Sequence, residues 1–170
     1  DKPVTSEDFR ASMEAASGRD LAWFFEQWVY GAGFPDCAVR VEWDEAGKTL
    51  VWRLRQQQPV RGGVGIFRFP VEVEAVAGGT TWRRRLEVHR DTHEWRVPLP
   101  EKPRRVRWNR GGWVAARVDL PLPREWWECT LREDDDVTAR LDAVEALAKL
   151  GAATCEPLAR AAAKDAHWAV

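Results

Sequence analysis

The sequence predicts a mixed, mainly β fold: an antiparallel β-sandwich of about seven strands with helical segments before and after it. Three observations carry this. Apolar residues recur at helical spacing as far as Trp28, alternate strictly from Cys37 onward, and return to helical spacing after Arg124. Turn residues punctuate the middle stretch at short intervals. Charge divides along the same lines: residues 1–33 carry 3 basic and 6 acidic residues, residues 34–123 carry 17 and 11, and residues 124–170 carry 6 and 10. The parts are therefore net −3, +6 and −4, and a basic sandwich is expected to dock against acidic neighbours.

In residues 1–33, Thr5 and Ser17 are candidate N-caps, with Asp8 and Asp20 three residues on at near capping-box spacing. Phe9, Met13 and Ala16 share one helix face, and Leu21, Phe24, Phe25 and Trp28 share another. Gly31, Gly33 and Pro35 end the second helix. Two short helices this apolar need cover. They are expected to dock partly on the sandwich or to pair with another copy.

Residues 37–118 follow period two. Cys37, Val39, Val41 and Trp43 face one way, and after the Asp44–Lys48 turn so do Leu50, Trp52 and Leu54. Phe67, Phe69, Val71, Val73 and Ala75 continue, with Pro70 on the opposite face. Gly78-Gly79 turns the chain into Trp82, Leu86 and Val88. Trp95 with Val97, Val106 with Trp108, and Trp113 to Val118 complete the set. One apolar face per strand fits two packed sheets, an immunoglobulin-like sandwich.

Residues 124–170 return to helix. Asp134, Asp135 and Asp136 offer an N-cap and favourable charge at a helix start. Val137, Leu141, Val144, Leu147 and Ala148 share a face, and Gly151 stops the helix. A second helix is expected near Cys155–Ala163, with Pro157 in its first turn, and Asp165 and His167–Val170 begin a third. Paired helices of this length predict the start of a HEAT-like helical repeat.

Composition excludes several classes. The formal net charge of −1 argues against a dedicated nucleic-acid binder. No apolar run approaches the roughly 20 residues of a membrane-spanning helix. Cys37, Cys129 and Cys155 are odd in number and widely spaced, which reads as free thiols in a reducing, cytoplasmic setting. Asp1 is not an initiator, so the chain reads as a segment of a longer protein.

The stretch from Ser17 to Pro35 resembles the end of the peptidase domain in M1 zinc aminopeptidases of the aminopeptidase N type. Asp20-Leu21, Phe24-Phe25, Gln27-Trp28 and Gly33-Phe34-Pro35 match motifs that recur there in this order. Thr5 to Phe9 is similar to the start of the preceding helix, and Gln56-Gln57-Gln58-Pro59 to a glutamine-containing turn. Asp135 to Leu150, with Arg140 and Ala143, is similar to the first helical repeat. The chain departs from the family at Trp108-Asn109, where many members carry an Asp. The resemblance implies three parts: residues 1–33 as the helical tail of a peptidase domain, 34–123 as the β-sandwich domain and 124–170 as the start of the helical-repeat domain.

The resemblance also implies zinc-dependent hydrolysis of peptides by the parent protein, through an H-E-x-x-H helix and a distant Glu. None of this is in the chain. His89 and His93 have the right separation, but Arg90 stands where the general base would be, and both lie in strand-like sequence. Glu94 after His93 is a coincidence of composition. The family's amine-binding run of Gly, Met and Glu is also absent, and the only tyrosine is Tyr30. No catalytic, cofactor or metal residue is therefore assigned, and zinc belongs to the peptidase domain. The partners expected are that domain, the remaining repeats and, for the parent, peptide substrates, with neither nucleic acid nor membrane.

Other signals have plain readings. Arg83-Arg84-Arg85 and Arg104, Arg105, Arg107 and Arg110 read as a solvated sheet face or as a docking surface for an acidic domain, ahead of polyanion binding. Among the eleven tryptophans, Trp43 and Trp52 have core parity, and Trp126-Trp127 sit at an interdomain join. Gly62-Gly63-Val64-Gly65 is a long loop and not a phosphate cradle. The expected role is a non-catalytic structural spacer. The alternatives are an interaction scaffold from a catalytically inactive relative and, further off, a carbohydrate-binding sandwich with tryptophans in a line.

Overall fold

The computed structural model describes residues 3–150 and 162–167. Thr5 starts helix α1 (Ser6–Ser17) through the predicted capping box: Asp8 N donates to Thr5 Oγ1 at 3.2 Å, and Thr5 N donates to Asp8 Oδ2 at 3.0 Å. Gly18 ends it in the left-handed region at φ 66°. Ser17 is thus the last residue of α1 and not the N-cap of the next helix. Its hydroxyl donates back to Met13 O. Leu21 is the N-cap of the next helix, and Asp20 Oδ1 accepts from Ala22 N at 2.9 Å just before it. Helix α2 (Ala22–Phe25) runs directly into a π-helical turn (Glu26–Tyr30) that stops at Gly31.

Seven strands follow: β1 (Asp36–Asp44), β2 (Thr49–Gln56), β3 (Phe69–Ala77), β4 (Thr80–Val88), β5 (Thr92–Pro98), β6 (Arg105–Trp108) and β7 (Arg117–Asp119). They form two sheets, in the orders β5-β2-β1-β7 and β4-β3-β6. Val41, Trp52 and Trp95 lie opposite one another across the first sheet, and Val73 opposite Trp108 in the second. The predicted inward positions close the core: Cys37, Val39, Leu50, Trp52, Leu54, Phe69, Val71, Val73, Ala75, Val88 and Val97 are all buried. Trp52, fully buried, meets Trp108 with ring centroids 5.9 Å apart. Trp43, half-buried at the edge of this core, directs its indole N–H to Glu45.

Two expectations about the last strand need correction. The sandwich is not wholly antiparallel, because β7 runs parallel to β1, with Arg117 opposite Asp36 and Asp119 opposite Ala38. The chain leaves β6 in one sheet, crosses the end of the sandwich and enters beside the start of β1, where Arg117 N donates to Pro35 O. Nor does the strand begin at Trp113, which is 84% exposed. A 3-10 turn (Arg110–Gly112) bends the chain there, with Gly111 and Gly112 at φ 79° and 68°. Asn109, itself at φ 54°, clamps that turn: its Oδ1 accepts from Val114 N and its Nδ2 donates to Val114 O.

Helix α3 (Arg124–Glu133) and helix α4 (Val137–Lys149) pack together at the end of the sandwich. Asp136 is the N-cap of α4, its Oδ1 accepting from Thr138 N at 2.9 Å. The predicted apolar face of α4 is rotated. Ala139, Ala143 and Leu147 are buried, Val137, Leu141 and Val144 are half-buried, and Ala148 is exposed. Small side chains at 139 and 143 admit close approach of α3, and that contact outweighs side-chain size in choosing the face. The helical pair described is α3 with α4. Gly151, Cys155, Pro157 and most of the helix predicted at Cys155–Ala163 lie outside the described residues, as do residues 168–170. No helix among the described residues is long and apolar enough to cross a membrane.

Candidate functional site

The chemistry of the chain concentrates where the sandwich meets α3 and α4. The arginines of the predicted basic cluster are not a free surface. Glu74, on β3 and only 2% exposed, is surrounded by three of them: Arg83 Nε at 2.7 Å, Arg110 Nε at 3.1 Å and Arg105 Nη2 at 3.2 Å. Asp134, in the link between α3 and α4, is 5% exposed and pairs with Arg105 and, at 3.1 Å, with Arg107. Arg107 also reaches Asp136 and the Thr138 hydroxyl, both at 2.9 Å. Arg104 pairs with Glu133 at the end of α3. Farther along, Arg140 of α4 holds Asp165 through two contacts of 2.5 and 2.8 Å.

Three strands (β3, β4 and β6), the 3-10 turn and an interhelical link thus contribute to one ionic network across the joint. Burial pushes the Asp134 carboxyl up, opposed by the Asp136 amide and by Arg105 and Arg107. Burial also raises Asp136, but the hydrogen bonds from Thr138, with Arg107, outweigh it and leave that carboxyl below its usual value. Hydrogen bonds from Arg140 and the His167 amide hold Asp165 low. Every carboxylate here is engaged by a cation, so the cluster offers neither a free base nor a nucleophile. It fixes geometry. A buried ion pair adds little net stability, yet a half-removed one costs several kcal/mol.

Tryptophans complete the joint. Trp126 is 2% exposed in the sandwich core, and Trp127 packs on both the sandwich core and the small cluster of Leu131, Ala143 and Leu147. Trp52, Trp108 and Trp126 are buried, and Trp28, Trp43, Trp82, Trp95 and Trp127 pack against the core. Trp23 and Trp113 are the exposed ones among the described residues, on separate segments, so no line of indoles crosses a sheet face. Between α4 and the 112–122 segment runs an open groove of about 620 Å³, bordered by Trp127, Leu120, Leu122 and Leu150.

The N-terminal joint is lighter. Trp28 lies against Phe67 at 5.4 Å, and the Gln27 side chain exchanges hydrogen bonds of 2.8 and 2.6 Å with the Arg68 backbone. The glutamine turn is a built element. Gln56 Oε1 accepts from Phe67 N and Gln58 Nε2, and Gln58 Oε1 accepts from Asp36 N. Phe9, Phe24 and Tyr30 each touch Phe25, and of the four only Phe25 is buried. Phe9 is 57% and Phe34 53% exposed. The helices therefore dock partly on the sandwich, as expected, and leave an aromatic face uncovered.

The two histidines do not fit a zinc site. His93 Nε2 accepts from His89 N at 3.0 Å and from Arg90 N at 3.1 Å, so that nitrogen is already engaged. Glu94 is engaged by Arg53 and Arg96, each at 2.8 Å. No group of three metal-ligating side chains occurs among the described residues. Cys37 and Cys129 are buried free thiols. Burial pushes Cys37 to about 11 and raises Cys129. Sequence reading missed Glu74 and Asp134 as the anchors of the joint. The signal available was the pairing of the Arg104–Arg110 run with the Asp134–Asp136 run.

No family model matches the chain, and no curated protein matches it by sequence. Among solved structures, the crystal structure of Legionella pneumophila aminopeptidase A in complex with aspartic acid has a similar fold, with a TM-score of 0.69 at 20% identity. The match covers 86% of this chain and 17% of that one, so this chain spans less than a fifth of that protein's length. The likeness is one of fold.

Proposed function

We propose that the chain is a non-catalytic segment of a zinc-dependent M1-type aminopeptidase, the structural spacer between a catalytic domain and a helical-repeat domain. The observation that carries this is the buried Glu74–Arg105–Asp134–Arg107 network, which welds the sandwich to α3 and α4 and offers no reactive group. The fold shared with part of an aminopeptidase A supports it, as do the motifs between Asp20 and Pro35. The uncovered aromatic face of the N-terminal helices fits a peptidase domain as its partner, and α3 with α4 fits the first unit of a HEAT-like repeat. Zinc, its ligands and the peptide site belong to the peptidase domain. The spacer sets how the repeats sit over that site, and so affects access and not bond cleavage. Buried free thiols fit a cytoplasmic protein.

Two measurements test this. The purified chain is expected to contain no stoichiometric zinc by elemental analysis and to release no dye from aminoacyl substrates. Either activity or bound zinc overturns the reading. The parent sequence is expected to contain H-E-x-x-H and a later Glu. Their absence would turn the reading to an inactive scaffold.

A further inference from the structure

His93, the second residue of β5, lays its imidazole flat on Trp95, 4.8 Å between centroids and 4° between planes, with its edge near His89. One nitrogen, Nε2, accepts two backbone hydrogen bonds, from His89 N and Arg90 N. Such a nitrogen carries no proton, so the ring is neutral with its hydrogen on Nδ1. The two bonds close the turn between β4 and β5. The far side of that turn is tied to Gln56: Asp91 O accepts from Gln56 N at 2.7 Å, and Arg90 O accepts from Gln56 Nε2 at 3.0 Å. Gln56 in turn exchanges two hydrogen bonds with the Phe67 backbone, at 2.7 and 2.9 Å. Phe67 supports Trp28, and the next residue, Arg68, is held by Gln27. A continuous chain of contacts therefore links His93 to the docking of the N-terminal helical segment.

We propose that His93 is an acid-released latch: protonation of its imidazole opens the 89–91 turn and, through Gln56 and Phe67, loosens the N-terminal helical segment from the sandwich. An imidazolium has donors at both nitrogens. Its Nε2–H would face two N–H donors at about 3 Å, which replaces two attractions by repulsion. The surroundings do not favour the cation. His89 and Arg90 stand in the turn, while Arg40, Arg53 and Arg55 belong to the opposite face of the sheet, because His93 is paired with Leu54. The negative groups nearby are Asp91, in the turn, and Glu94, which is already shared by Arg53 and Arg96. Burial first, then His89 and Arg90, push the His93 titration below its ordinary value of 6.5, with Asp91 opposing. A depressed histidine contributes stability that is present in full above its ordinary value and is lost as pH falls through the folded value. The latch is therefore closed at neutral pH and released in mild acid.

The test is nuclear magnetic resonance and amide hydrogen exchange on the whole 170-residue chain. His93 is expected to titrate below its ordinary value of 6.5, as the Nδ1–H tautomer, with the His89 and Arg90 amide signals moving in step. Corrected for intrinsic rate, opening at Phe67, Arg68 and residues 26–30 should rise between about pH 7.5 and about pH 5, by about tenfold for each pKa unit that separates the closed from the open turn. His93→Gln keeps a neutral acceptor and should abolish the response, whereas His89→Gln should retain it. Three results overturn the proposal: an ordinary or raised His93 titration, a turn that opens without change at residues 26–30, or an unaltered response in His93→Gln. The unsubstituted chain decides the first two whether or not the variant folds.

Discussion

The two ends of the sandwich carry joints of opposite construction. At the C-terminal joint, Glu74 and Asp134 are buried among arginines, and Trp126 is inserted into the core. At the N-terminal joint, the contact is one ring against another and a glutamine on a backbone, and α1 has no buried residue. Both segments are acidic and both meet a basic sandwich, so net charge does not explain the difference. Position does. The acidic run at 133–136 falls within reach of Arg104, Arg105, Arg107 and Arg110, whereas the acidic residues of α1 are spent locally. Asp8 closes the capping box, Glu7 accepts from Tyr30, and Glu14 caps Leu21 N. The C-terminal joint is closed by buried side chains, whereas the N-terminal segment leaves Phe9, Phe24 and Tyr30 exposed.

The sharpest way to break this contrast is Asp134→Ala. It removes one of the two carboxylate partners of both Arg105 and Arg107, leaving these buried guanidinium groups with Glu74 and Asp136 alone. The expected cost is about 3–5 kcal/mol of stability, seen as a large fall in the denaturation midpoint. A change below about 1 kcal/mol, the scale of an exposed ion pair, would mean that the joint is no stronger than the N-terminal one.

Trp28→Ala addresses the other side. A half-buried indole is removed from Phe67, at a cost of about 1–2 kcal/mol for the docked segment. Because α1, α2 and the π-turn bring only Phe25 into full burial, the sandwich should keep its own melting transition. The expected outcome is faster proteolysis between Tyr30 and Pro35 with an unchanged main transition. Loss of the main transition would show that the N-terminal segment is an integral part of the sandwich.

Much of this fold was legible because burial and parity agree in it. Cys37, Val39, Leu50, Trp52, Val71 and Val73 follow period two and are buried, and Thr5 and Asp136 cap helices as their side chains allow. The joint was legible only as charge blocks. Glu74 has the parity of a solvated residue and is buried because Arg83, Arg105 and Arg110 converge on it, which only the pairing of β3 with β4 and β6 brings about. Asp134 reads like Asp136 in sequence; two residues of displacement separate a buried anchor from an N-cap. The parallel entry of β7 and the rotated face of α4 depend on which neighbour lies alongside, information that local periodicity does not hold. The role of Gln56 is similar, since its partners at Phe67 and Arg90 come from two different loops.

The smallest expected effect is at α1. Thr5→Ala removes the acceptor for Asp8 N and one side of the capping box, about 1 kcal/mol for the helix itself. α1 buries nothing, so that loss should stay local: faster amide exchange in Ser6–Phe9 and slightly less helical signal, with the sandwich transition unmoved. The same substitution in a protein whose partner domain covers Phe9 and Met13 would behave differently, because the cap would then be coupled to a real interface. Comparing Thr5→Ala in this chain and in the longer protein proposed above therefore tests whether a further domain covers this face. Equal effects in both would count against a covering domain.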